Sequence, residues 1–237
     1  MKRAQEPKHK SPASRKRGGH GMKYLAALLA LALLVFVGLR LKGWQDQRQE
    51  ARTLVLVNPW NYVDETGFRP RLTGLGEGLR MDRSCAAALK SMLADCRAAG
   101  HQPQVLAAYR SHAEQERLYR AQVQKLMDGG LDEDTAAERA AETVARPGTC
   151  EHELGLAVDL ADNGALPWLQ ENAWRYGFIL RYPEGGEEQT GVAYHPGHFR
   201  YTGPDSAGQI YSLGITLEEY SALFYNEAAD IVFDEAD

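Results

Sequence analysis

His152 and Asp159 lie seven positions apart in Cys150-Glu151-His152-Glu153-Leu154-Gly155-Leu156-Ala157-Val158-Asp159, and a histidine pair follows in Tyr194-His195-Pro196-Gly197-His198-Phe199-Arg200-Tyr201. Imidazoles plus one carboxylate are the donor set of a catalytic zinc site, which takes three protein ligands and keeps a fourth position open for water. The elements that must hold them read as short strands. In 155–161 alternation points Leu156, Val158 and Leu160 one way, and Gly155, Ala157, Asp159 and Ala161 the other. Asp159 then stands on a face of very small residues, which leaves room for a metal. In 198–201 the same alternation joins His198 and Arg200 on one face, with Phe199 and Tyr201 on the other.

The three cysteines are too few for a disulfide scaffold. Cys85 and Cys96 fall on one expected helix, about 16 Å apart along its axis, beyond the reach of a bridge. Cys150 is open to three readings: a partner for one of them, a further zinc ligand, or a small buried thiol.

The surrounding elements follow from local signals. A helix is expected from an N-cap at Ser84 through Ala99, closed by Gly100, with Ala86, Leu89, Met92, Leu93 and Cys96 as its core stripe. Gln104–Arg110 reads as a strand. Helices follow over about 112–128 and from Asp132 or Asp134 to about Ala145, and Pro147-Gly148 breaks the chain before the metal segment. Pro167 opens a helix that Gly177 ends, Phe178–Tyr182 is a strand, and a short helix (about 205–212) precedes a last one from Thr216. This mixture predicts an α+β fold.

The 237 residues can bury a sizeable core. The first 23 carry eight Lys or Arg against one acid, and an apolar run from Tyr24 to Leu39 follows. The pattern predicts a basic cytoplasmic tail (1–23), a membrane anchor (24–39) in an N-in, C-out sense, a polar stalk (40–53) and a folded domain (54–237). A removed signal peptide is the alternative, but Val35-Phe36-Val37 makes a poor small-residue cleavage site. Subtracting the basic segment from 27 basic and 32 acidic residues leaves a net charge of −12 for 24–237. Such acidity argues against nucleic acid as a partner. Nothing in the sequence speaks to oligomeric state.

A series of motifs in order carries a resemblance. Tyr109-Arg110-Ser111 with Gln115, Pro147 to His152, Gly155 to Asp159, Trp168-Leu169, Tyr176 to Pro183, Thr190-Gly191, His198-Phe199-Arg200-Tyr201 and Leu217-Glu218-Glu219-Tyr220 together resemble the VanY-type zinc D-alanyl-D-alanine carboxypeptidases of the peptidoglycan. The resemblance covers about Val55 to Leu223. It implies a Hedgehog/DD-peptidase-like fold, a small antiparallel sheet flanked by helices with the zinc site on the sheet. It also implies His152, Asp159 and His198 as zinc ligands. Arg110 matches an arginine near the substrate carboxylate or the developing oxyanion, where fixed positive charge is physically sensible. Ser111 and Gln115 match pocket positions, and Cys150 stands where the family usually has serine. Glu151 keeps the family's acid beside the first ligand, supporting it from behind. Arg200, on the strand face of His198, is expected to help hold the peptide.

The chain departs from the family at His195-Pro196-Gly197-His198, where the usual motif is Glu-Pro-Trp-His. The family's glutamate is its general base, so His195 has three readings. It replaces the glutamate as base, Glu151 being another possible source of one; it closes the zinc site as a fourth ligand; or the domain binds wall peptide without cutting it. The resemblance thus implies a carboxypeptidase that removes a C-terminal D-alanine from stem peptides outside a bacterial cell membrane. The alternatives are a non-catalytic or impaired peptidoglycan-binding zinc domain and an LD-carboxypeptidase, amidase or endopeptidase, because glycine in place of the indole at Gly197 would widen the cleft.

Overall fold

The computed structural model describes the backbone of residues 19–224, and most of the basic tail and the acidic end, 1–18 and 225–237, lie outside the described residues. The chain divides into two units, Met1–Gln47 and Arg48–Asp237. The described part of the first is helical, within α1 (Gly19–Thr53), and exposes Leu28, Leu31, Leu34 and Phe36 among its apolar side chains. Among the described residues no helix is long and apolar enough to cross a membrane.

In the second unit a hairpin, β1 (Leu72–Gly76) and β2 (Leu79–Asp82), runs directly into α2 (Arg83–Ala98). The cap of α2 is Asp82 rather than the expected Ser84. Asp82 ends the strand in an extended conformation, so its carboxylate reaches forward and accepts from the Ser84 N–H at 2.9 Å. The stripe Ala86, Leu89, Met92, Leu93 and Cys96 is buried, as a 3.6-residue period requires.

A four-stranded antiparallel sheet carries the site, in the order β3 (Val105–Ala107), β4 (Ala157–Leu160), β6 (His195–Tyr201) and β5 (Phe178–Tyr182). Helices α3 (His112–Asp128) and α4 (Glu133–Ala141) connect β3 to β4, and α5 (Leu166–Asn172) precedes β5. The short α6 (Glu187–Thr190) precedes β6, and α7 (Pro204–Leu213) and α8 (Leu217–Phe224) follow it. Strand β3 is shorter than expected because its chain leaves the sheet early. Tyr109 N–H donates to the Arg80 carbonyl at 2.7 Å and Arg110 N–H to the His152 carbonyl at 3.1 Å.

Alternation sorts the sheet as the sequence requires. Leu156, Val158, Leu160, Phe178, Phe199 and Tyr201 enter the main core, where the α2 stripe is also buried. Asp159, His198 and Arg200 belong to the opposite face. Strand β6 also begins three residues earlier than expected, and its register slips: Leu180 pairs with Phe199 but Tyr182 with His195. Strict alternation would put His195 opposite His198. The slip brings the two rings to 5.5 Å between centroids.

Candidate metal centre

His152 sits in a 3-10 turn, Glu151–Leu154, that ends at Gly155 in the left-handed region (φ 67°). A β-carbon at Gly155 would lie 3.0 Å from the Asp82 N–H nitrogen, so glycine both permits the turn and lets it dock on the start of α2. Strand β4 then presents Asp159, and its neighbour β6 presents His198 directly across from it. One donor atom from each of His152, Asp159 and His198 lies within 4.8 Å of the others, and among the described residues no other His, Cys, Asp or Glu joins a cluster of this kind.

The contacts around the three define which atoms face inward. His152 Nδ1 is 2.6 Å from the Ala108 carbonyl, so it carries the proton and leaves Nε2 bare, 3.0 Å from Asp159 Oδ2. His198 is turned the other way. Its Nδ1 lies 2.7 Å from Asp159 Oδ1, and its Nε2 faces Glu151 Oε2 at 3.5 Å. One nitrogen of each ring and a carboxylate therefore converge, with each outer ring nitrogen turned to an acceptor, and this donor set fits zinc, which would take the place of the protons between them.

Charge is unevenly distributed here. Burial works to raise the Asp159 pKa, but its bonds to His152 and His198 hold it well below the usual carboxylate range. Burial lowers the pKa of His152. Burial opposes charge on His198 too, yet Asp159 and Glu151 outweigh it and raise its pKa. Arg110 reaches the same carboxylate, with Nη2 3.2 Å from Asp159 Oδ2, at the partly exposed edge of the site. His195 is exposed and lies outside the converging donors. Desolvation on its inner side, then His198, lowers its pKa.

Other expected pocket residues have structural contacts of their own. Arg200 is fully buried and cannot hold a peptide, because its guanidinium donates to Glu151 Oε1 at 2.6 Å and to the carbonyls of Thr53 and Val55 at 2.9 and 2.7 Å. The Ser111 hydroxyl caps α3 by accepting from Glu114 N–H at 3.3 Å. Gln115 is buried and braces the turn before the metal segment, donating to the Ala145 carbonyl at 2.7 Å, which is also where α4 has already ended. Cys150 is a free buried thiol whose pKa burial pushes up to about 12. It is unbridged and lies outside the donor cluster found among the described residues.

Glu151 is central in a way its neighbours in sequence do not reveal. Its Oε1 accepts from Arg181 Nε at 2.8 Å as well as from Arg200, and burial, which would raise its pKa, is overcome by those two cations. Arg181 and Tyr182 are parts of the site that sequence reasoning passed over. The signal was available: a lone arginine inside the apolar strand Phe178-Ile179-Leu180-Arg181-Tyr182 demands a buried anionic partner.

A family profile, VanY, described as D-alanyl-D-alanine carboxypeptidase, matches residues 78–204. A D-alanyl-D-alanine carboxypeptidase of Enterococcus faecalis is 37% identical over 175 residues, covering 71% of this chain and 65% of that enzyme, so the chain spans just under two thirds of this curated relative. The solved structure of VanYB in complex with D-alanine-D-alanine is 38% identical with a TM-score of 0.68, covering 72% of this chain and 97% of that one. A mutant of the vancomycin-resistance D,D-pentapeptidase VanY in complex with Zn(II) gives 38% identity and a TM-score of 0.67, covering 71% of this chain and 98% of that one. Their Hedgehog/DD-peptidase-like fold is the one the sequence motifs led us to expect.

Proposed function

We propose, since the chain belongs to the VanY family of D-alanyl-D-alanine carboxypeptidases, that it removes a C-terminal D-alanine from peptidoglycan stem peptides, with zinc held by His152, Asp159 and His198. The observation that carries this reading is the convergence of the three donors beside Arg110, with the outer ring nitrogens turned to Ala108 and Glu151. Bound zinc supplies a Lewis acid for the scissile carbonyl. Arg110 brings fixed positive charge to the rim, where the terminal carboxylate and the developing oxyanion both need it. His195, exposed beside His198, takes a proton from the attacking water and returns it to the leaving amine. Glu151 does not compete for that role, because two buried arginines hold it ionised and out of reach. Its standing outside the donor cluster argues against His195 as a fourth ligand.

The test is D-alanine release from a free stem pentapeptide by the zinc-loaded full-length protein, beside His195→Ala and His195→Glu. We expect release by the parent that chelation abolishes, and a loss of about 100-fold or more in His195→Ala, the usual contribution of a general base. A silent parent with an active His195→Glu variant would instead make this a peptidoglycan-binding domain that has given up its base.

We also propose that the helix over 24–39 holds the domain at the outer face of a bacterial cell membrane. Its support is the exposed apolar side chains Leu28, Leu31, Leu34 and Phe36, preceded in sequence by the basic tail.

A further inference from the structure

Behind His198 lies a line of buried charges that ends on the last helix. Glu151 Oε1 is filled by Arg181 and Arg200, while its Oε2 makes no hydrogen bond and faces His198 Nε2, itself without one, at 3.5 Å. Arg181 is fully buried and uses all of its fork. Nε goes to Glu151, and Nη1 and Nη2 go to Glu218 Oε2 and Oε1 at 2.8 and 2.6 Å. Glu218 is held in turn by Asn58, whose Nδ2 donates to Oε1 at 3.0 Å. Arg181 also stands 4.9 Å over the Tyr182 ring, and that ring lies 5.0 Å from the His198 imidazole. Two of the groups that bound His198, an anion at its outer nitrogen and an aromatic ring beside it, are thus both placed by Arg181.

From this geometry we propose that Glu218 is a positioning residue for the metal centre, acting through Arg181 and Glu151 to fix the orientation and tautomer of His198. The inference rests on the zinc reading above. The physical argument is the sharing of one cation between two carboxylates. While Glu218 takes both terminal nitrogens, Arg181 has only Nε for Glu151, and Glu151 keeps one oxygen for His198. An acceptor there keeps the proton on Nε2 and leaves Nδ1 bare for the metal. Without the Glu218 charge, the freed guanidinium nitrogens are drawn to the nearest remaining carboxylate, which is Glu151, and His198 loses its acceptor. Groups that brace a ligand in this way commonly contribute 10- to 100-fold in metal affinity.

Glu219 provides the control. It lies on the same helix and bonds only locally, its carboxylate accepting from the Thr216 N–H and hydroxyl at 2.8 and 2.9 Å. The experiment measures zinc affinity by chelator competition, and the visible ligand-field spectrum after cobalt loading, for the full-length parent, Glu218→Gln and Glu219→Gln. We expect Glu218→Gln to bind zinc about 10-fold or more weakly with an altered cobalt spectrum. Glu219→Gln keeps both parental while its melting temperature falls. A folded Glu218→Gln with parental affinity and spectrum overturns the proposal. If that variant does not fold, Glu218→Asp, which keeps the charge but falls short of the fork, is read by the same criterion. A parent that bound neither metal would remove the zinc reading and this inference together. Metal binding without D-alanine release would count against the carboxypeptidase reading alone.

Discussion

Gly197 lies in β6 where the register slips, and a β-carbon built on it would overlap the Leu160 carbonyl oxygen of β4. The position is buried against backbone, so the absence of an indole there does not widen a cleft, as the sequence motif alone suggested. What glycine permits is the close approach of β6 to β4 beside the slip that carries His195 round to the site. Gly197→Ala is therefore expected to destabilise the fold by about 1–3 kcal/mol, the ordinary cost of overpacking, read as a lowered denaturation midpoint. An unchanged midpoint would mean that the strands part easily here. Single residues were legible in sequence where their chemistry was unusual: spacing made His152, Asp159 and the pair His195 and His198 candidates, and the family resemblance then singled out His152, Asp159 and His198. Arg200 was misread because alternation assigns a face but does not say what covers it. The cover is the segment carrying Thr53 and Val55, and it turns a candidate peptide contact into a buried strut.

Elements were legible where their period was long and less so at their ends. The α2 stripe and the span of α3 follow from helical spacing alone. The ends depended on partners distant in sequence. Strand β3 stops when Tyr109 turns to β2, and α2 starts at Asp82 because β2 delivers that residue in an extended conformation. Asp82 joins several elements at once. Its carboxylate caps α2, accepts from Arg71 N–H at 2.6 Å and pairs with Arg52 at 3.4 Å, and its own N–H donates to the Gly155 carbonyl at 2.8 Å beside the His152 turn. Asp82→Ala should cost about 2 kcal/mol, the upper end for a lost helix cap, measurable by urea denaturation. A loss below about 0.5 kcal/mol would show that water replaces the carboxylate without penalty.

Across the whole molecule, the parts of the site farthest apart in sequence were the least visible beforehand. Arg200 and Thr53 are 147 positions apart, and Arg181 and Glu218, though closer, belong to a strand and a helix with no shared pattern. Periodicity reports on neighbours along one element, whereas these contacts exist only once the sheet, α8 and the lead-in at 53–57 have packed. At this scale the proposed membrane association is tested by fractionation. The full-length protein should sediment with membranes and resist extraction by high salt, whereas a variant with Leu31, Leu34 and Phe36 changed to arginine should move to the soluble fraction. Equal partitioning of the two would remove the anchor. The lead-in itself has a mechanical meaning. Thr53, Val55 and Val57 give their carbonyls in succession to Arg200, Arg200 and Arg181, and the Thr53 hydroxyl is fastened to the Thr202 carbonyl at 2.9 Å. A pull on the chain from its N-terminal side is met by the Arg52–Asp82 pair and then by these fastenings, arranged along the line of force like stitches in a seam. Tension is borne there first, a few residues into the folded unit, and what passes on reaches the imidazoles by way of Arg200, Glu151 and the strand that Arg200 shares with His198.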